Sequence, residues 1–297
     1  MRALSAAVSV DLDTAFEYAA IHGAAPSGDD PVYGVALDRM AIFAAEHGLP
    51  LTLFAIGRDL ADSRNAARLL ELASAGHVVE NHSDAHRYDL SRLPADTIAT
   101  DLRRAQDAIE TAVGRRPVGF RAPGYITSAA LFRALADEGF AFDSSLFPCP
   151  PYYLAKLAVL ASYRLVGRRS ASQVDSPMVL AARTQPHRIG PITELPIGVT
   201  RGLRLPFIGT ALTVSGPTVA RLLARMVGPF ANLELHAFDF LDQHDGLSGL
   251  ASKQRDLTIP WPRKRAALNA AIDELRRRGA AFITLAEAAA RVPSCRN

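Results

Sequence analysis

Ala45-Glu46-His47-Gly48-Leu49-Pro50-Leu51-Thr52-Leu53-Phe54-Ala55-Ile56 reads as the end of an amphipathic helix, a glycine, and then a short β-rich run. Glycine just past a helix end takes the left-handed cap without a Cβ penalty, so it marks where helix gives way to strand. The unit returns at Ala73-Ser74-Ala75-Gly76 before His77–Glu80, at Ala136-Asp137-Glu138-Gly139 before Phe140–Asp143, and at Arg276-Arg277-Arg278-Gly279 before Ala281–Leu285. Further strands are expected at Ala6–Val10, Val118–Phe120, Ile192–Leu195 and Leu233–His236. Helices are expected over roughly 35–47, 62–75, 95–112, 128–138, 216–226 and 263–278. Such alternation implies an α/β fold with a mainly parallel sheet, doubly wound or closed into a barrel.

Six polar residues, Asp11, Asp13, His82, Arg121, Asp143 and His236, fall at or just past the C-terminal ends of these strands. Active sites of βα-barrels are assembled on that face, which favours the barrel. The 297 residues suit one barrel domain over 1–297, with an irregular insertion at about 148–190 that breaks the alternation. Hydrophobic residues make up 49% and charged residues 21%, so a large core is available. A net charge of +3 is too small and too dispersed for a nucleic-acid binder. The two cysteines, Cys149 and Cys295, form neither a disulfide framework nor a zinc motif. Met1–Asp11 carries no long apolar signal core and no span suits a membrane, so a cytoplasmic location is expected.

Four short motifs can carry chemistry. In Asp11-Leu12-Asp13, one carboxylate can bind a metal while the other acts as a base. In His82-Ser83-Asp84-Ala85-His86, two histidines four apart would share one face of a helical turn and could ligate one ion. Arg121-Ala122-Pro123-Gly124-Tyr125 makes a tight turn whose backbone N–H groups could meet an oxyanion, with Arg121 free to orient a carboxylate by paired hydrogen bonds. Asn232-Leu233-Glu234-Leu235-His236 is a buried strand ending in a candidate proton donor. Each motif alone has a bland reading as a polar strand end, surface histidines, an ordinary turn or a structural histidine.

Taken in order, Asp-x-Asp, His-Ser-x-x-His, Arg-x-Pro-Gly-Tyr and Leu-x-Leu-His resemble the motif series of the NodB-type polysaccharide deacetylases, over roughly Val8 to Leu285. The resemblance implies a distorted (β/α) barrel that hydrolyses acyl groups on carbohydrates with a divalent metal. It assigns the metal to Asp13, His82 and His86, with zinc as first choice and cobalt, nickel or manganese as alternatives. It makes Asp11 the base held by Arg121, the Tyr125 N–H an oxyanion donor and His236 the acid. The adjacent aspartates usual in the family are here separated by Leu12, and Asp143-Ser144-Ser145-Leu146-Phe147-Pro148 replaces a tryptophan-bearing motif. These variants, with Leu235-His236-Ala237-Phe238-Asp239, resemble a branch of lipid-linked aminosugar deformylases and envelope deacetylases. Asp143, Leu235 and Asp239 are accordingly expected near substrate, an N-acetylated or N-formylated aminosugar of the envelope. Leu154–Val166, with Lys156, Arg164, Arg168 and Arg169, could lie in a membrane interface, giving peripheral contact through about 151–169 at the inner face of the membrane. A covering helix is the plain alternative. Rival functions are a haloacid-dehalogenase-like phosphatase, which Ala15 and the histidine pair disfavour, a non-carbohydrate amide hydrolase, and a non-catalytic sugar or lipid-headgroup binder.

Overall fold

The glycine-punctuated units fold as the spacing demands, each helix returning the chain to start a strand parallel to the previous one. A computed structural model describes residues 4–21, 30–165 and 175–293. Arg168, Arg169, Cys295 and the side chain of Arg164 lie outside the described residues. The strands are β1 (Ser5–Asp11), β2 (Leu51–Ala55), β3 (Val78–Asn81), β4 (Gly119–Phe120), β5 (Phe142–Asp143), β6 (His187–Ile189), β7 (Ile192–Glu194), β8 (Phe230–His236) and β9 (Ala281–Phe282). The helices are α1 (Ala15–Ile21), α2 (Leu37–Glu46), α3 (Ser63–Ser74), α4 (Ala95–Val113), α5 (Ala129–Asp137), α6 (Pro150–Leu165), α7 (Gly209–Ser215), α8 (Pro217–Met226), α9 (Ser248–Ala251), α10 (Trp261–Arg277) and α11 (Leu285–Ala290).

The sheet runs β6-β7-β5-β4-β3-β2-β1-β8, with β9 paired to the start of β1, and only the β6–β7 hairpin is antiparallel. β2 is buried along its whole length, as a strand covered on both faces must be, and it reads as an unbroken apolar run apart from Thr52. The sheet curls until its two ends meet: past β7, the Gly198 N–H donates to the Asn232 carbonyl of β8 at 2.8 Å. Only glycine allows that approach, because a Cβ at position 198 would sit 2.3 Å from the same oxygen. The result is a distorted (β/α) barrel. Its parallel register puts Asp11 opposite His236, Asn81 opposite Phe120, and Phe120 opposite Asp143. The chemistry-bearing strand ends therefore form one rim.

Several local expectations change. Ala281–Leu285 is not one strand: β9 stops at Phe282, because Thr284 and Glu287 form a capping box that starts α11. The insertion is partly regular, with α6, a short turn at Pro177–Ala181, and β6 hairpinned onto β7. His82–His86 is not a helical turn. Ser83 and His86 have φ of 68° and 48°. The loop is held instead by the Asn81 Oδ1 and Ser83 Oγ acceptors for the Ser83 and His86 N–H groups, at 2.7 and 2.8 Å. The Asp101 carboxylate accepts from the Asp84 and Ala85 N–H groups at 3.0 and 3.2 Å. Side-chain acceptors offer the backbone an alternative to helix, and here they prevail.

Candidate active site

The rim is built around Asp13. Its Oδ1 lies 3.1 Å from His82 Nε2 and 3.2 Å from His86 Nε2, and all three side chains are buried. The far side of each imidazole is fixed by an acceptor. His82 Nδ1 is 2.8 Å from the Arg121 carbonyl, and His86 Nδ1 is 3.2 Å from Glu17 Oε2. A carbonyl or carboxylate oxygen accepts, so Nδ1 donates on both rings and both Nε2 atoms turn toward Asp13. Imidazole held this way by a carbonyl or carboxylate is the usual outer support of a metal ligand.

Whether these residues fit a metal can be tested on one atom. His86 Nε2 is buried without a hydrogen-bond partner, although Asp13 is close. An orphaned buried polar atom calls for a reason. Two imidazole nitrogens and a carboxylate oxygen, all within 4.8 Å of one another, supply it as a donor set for a divalent ion. The residues present fit the group.

Asp11, at the end of β1, has a different environment. Arg121 Nη1 donates to its Oδ1 at 2.6 Å, a single contact rather than the expected pair. The other guanidinium nitrogens bond Ser9 Oγ, Ser144 Oγ and the Ser144 carbonyl at 2.8–2.9 Å. Arg121 is wholly buried, its Cζ 4.2 Å from the Phe54 ring centroid. Burial raises the Asp11 carboxyl above its ordinary value, with Arg121 and His82 opposing. Asp13 moves the other way. Burial would raise it too, but the His86 and His82 imidazoles that face it hold it well below the usual range.

His236 ends β8 with Nδ1 3.0 Å from Glu234 Oε1 and Nε2 3.3 Å from the Tyr125 hydroxyl. Burial disfavours the imidazolium, yet Glu234, helped by Asp13 and Asp11, outweighs it and pushes the histidine well up. Burial and the Glu234 charge likewise hold the Tyr125 phenol far above its ordinary value, so it stays protonated.

Other expectations need correction. The Tyr125 N–H, offered above as an oxyanion donor, is committed to the Ala122 carbonyl at 2.9 Å, because the turn closes on itself. Gly124 lets it do so at φ 64°, against the Tyr88 ring, where a Cβ would come within 2.3 Å. Leu235 points into the main hydrophobic core, since it alternates with His236 along β8. Asp239 is buried behind the rim, where its Oδ2 accepts the His236 N–H at 2.9 Å. Asp143 accepts from Ser145 Oγ at 2.8 Å, and Ser145 Oγ in turn accepts the Ala122 N–H at 2.8 Å. Asp143 and Asp239 thus brace the site's loops, and none of these three side chains lines the cavity above it. Glu17 and Glu234 escaped the sequence reading. Glu234 was findable, sharing a strand face with His236. Glu17 looks like any acid in a first helical turn.

That cavity, about 590 Å³, has Asp11, Asp13, His82 and His236 in its floor and is walled by α6 and α7. Residues 34–142 match the family model for polysaccharide deacetylase. Over that span the chain is similar to the polysaccharide deacetylases. The matched span holds His82, His86, Arg121 and Tyr125, while Asp11, Asp13 and His236 reach the same rim through the fold. A peptidoglycan deacetylase of Helicobacter pylori is 26% identical over 155 residues, covering 50% of this chain and 52% of that protein. The chain thus spans about half the length of the curated relative it matches. Among solved structures, a provisionally assigned polysaccharide deacetylase of Mycobacterium smegmatis aligns with TM-score 0.56 at 20% identity, covering 97% of this chain and 90% of that one. A family 4 acetyl xylan esterase of Clostridium thermocellum, in complex with a cobalt ion, aligns with TM-score 0.54 at 16% identity, covering 97% and 92%. At such identities these two show the shared barrel fold and no more.

Proposed function

We propose that this protein is a metal-dependent hydrolase that removes an acetyl or formyl group from the nitrogen of an aminosugar. The observation that carries the reading is convergence: Asp11, His236, and Asp13 and His82 of the Asp13–His82–His86 donor set all face one cavity. A divalent ion on Asp13, His82 and His86, zinc first among the candidates, would acidify water and polarise the acyl carbonyl. Asp11, oriented by Arg121, accepts the proton of the attacking water. His236, kept charged by Glu234, delivers a proton to the departing nitrogen as the C–N bond breaks, leaving a carboxylate and a free amine. The Tyr125 hydroxyl adds a donor in the cavity wall beside His236.

A lipid-linked aminosugar is favoured over a polymer because Val159 and Leu160 of α6, Val214 of α7 and Ile208 just before α7 line the approach, and they offer little to a long polar glycan. Among the described residues no helix is long and apolar enough to cross a membrane. Peripheral contact through about 151–169 is supported by Leu154, Leu157 and Val159, all exposed on α6. Action on such a substrate at the inner face of the membrane would place the protein in the cytoplasm. The test is mass spectrometry of N-acetylated and N-formylated lipid-linked aminosugars, and of chitin oligosaccharides, after incubation with zinc-loaded protein. Asp11→Asn is expected to lower turnover by about 10²–10⁴-fold, as loss of a general base does. A fully active variant would refute the base assignment.

A further inference from the structure

The cavity holds one charged side chain that the proposed chemistry does not use. Lys156 extends from α6 into it, and among the described lining residues no other lysine or arginine is present. Its amine sits over the Tyr152 ring, 5.7 Å from the centroid. Tyr152 packs edge-on against Tyr125, which meets His236, so the lysine lies along the wall that leads to the proton donor. Among the described residues no carboxylate approaches the amine to within 4.0 Å. Asp175 acts on it only at longer range, being engaged by the Thr127 hydroxyl and the Ser176 N–H at 3.2 and 2.6 Å.

A mostly buried ammonium with no close counter-ion among the described residues, at the edge of an apolar trough, is poorly solvated and strongly favours an anion that could replace lost water. Burial brings the amine down to about 8, with Asp175 partly offsetting this. Beyond the lysine the trough continues between Val159 and Leu160 of α6 and Ala211 and Val214 of α7. Val159 and Val214 are each half exposed, so apolar surface runs outward from the lysine to the surface of the molecule.

We propose that Lys156 binds an oxyanion carried by the substrate, a phosphate or a carboxylate, and that the α6–α7 trough receives the hydrocarbon attached to it. This rests on the cavity being the substrate's, and it adds a specificity residue that the hydrolytic residues do not require. The probes are dodecyl phosphate, dodecanoate, dodecyl maltoside and inorganic phosphate, titrated calorimetrically into the metal-loaded full chain.

Dodecyl phosphate, dodecanoate or both should bind the wild type and weaken about tenfold or more in Lys156→Ala, the loss typical of one charged hydrogen bond. Lys156→Arg should restore most of the affinity, which a purely structural role for the side chain would not predict. Dodecyl maltoside should bind both proteins alike, and Val214→Asp should weaken every alkyl probe. Unchanged dodecyl phosphate and dodecanoate binding in a folded Lys156→Ala protein overturns the anion site. Inorganic phosphate binding as tightly as dodecyl phosphate overturns the trough. Lysine-dependent binding without turnover of any N-acyl sugar would sink the hydrolase reading and leave this inference standing. Turnover of N-acyl sugars without such binding would do the reverse.

Discussion

Arg121 and Asp11 form a fully buried ion pair at 2.6 Å, and its energetics can be measured without knowing the substrate. Arg121→Met leaves the Asp11 carboxylate buried without its counter-charge, and it strips the Ser144 carbonyl of its donor. Breaking one side of a buried pair costs about 3–5 kcal/mol, to which the orphaned carbonyl adds about 1–3 kcal/mol. Asp11→Asn is destabilising for the converse reason, since it leaves the guanidinium uncompensated. In the double variant neither charge remains, so the losses should fall short of the sum by about 2–3 kcal/mol. Urea unfolding of the four proteins at one pH supplies the cycle. The shortfall should shrink at acid pH, where the Asp11 carboxyl, already raised by burial, is protonated in the wild type as well. Strict additivity at neutral pH would show that the pair is not coupled, and Arg121 could then not be what positions the base.

Two more outcomes follow from the groups behind the rim. Glu17→Gln should weaken zinc or cobalt binding about 10–100-fold, the usual effect of losing a carboxylate behind a ligating imidazole; competition with a chromogenic chelator reads this, and unchanged affinity would dismiss the Glu17–His86 contact. Burial lifts the Asp239 carboxyl from 3.8 to about 6, so the folded protein binds the extra proton between those values. Its contribution to stability therefore falls as pH rises from about 4 to 6 and is constant above, a loss of about 3 kcal/mol at most. The wild-type minus Asp239→Asn difference in urea stability should follow that curve, and a difference flat from pH 4 to 8 would count against it.

What could be read from the sequence was whatever rests on local rules. Gly48, Gly76, Gly139 and Gly279 mark helix ends because a left-handed cap excludes most side chains, and their φ values run from 50° to 95°. The polar strand ends were legible because a parallel barrel exposes only that rim to chemistry. The His82–His86 loop was not legible as a loop. A four-residue spacing is equally compatible with a helical turn, and the acceptor that decides between them, Asp101, lies on α4, far along the chain. The Tyr125 N–H illustrates a different limit. Its motif fixes a tight turn but not which carbonyl closes it, and closure on Ala122 uses the donor that the motif offered.

The division of labour proposed for Asp11 and Asp13 illustrates what tertiary structure adds to such a motif. On the sequence the two are interchangeable carboxylates either side of Leu12. β1 ends at Asp11, where the Arg121 guanidinium reaches in from the end of β4 across the rim, while Asp13 falls beyond the strand between two imidazoles. The two environments drive the carboxyls apart, Asp11 upward by burial and Asp13 downward by His86 and His82. A base that must collect a proton near neutrality gains from the first shift, and a group that must stay ionised to hold a cation gains from the second. Acid–base roles are commonly separated this way, by surroundings that split the pKa values of two like groups. The side chains that act on the two carboxyls are distant in sequence, since Arg121, His82 and His86 arrive from the ends of other strands. A barrel that failed to bring the ends of β1, β3 and β4 together would leave two equivalent aspartates and no basis for assigning them different work.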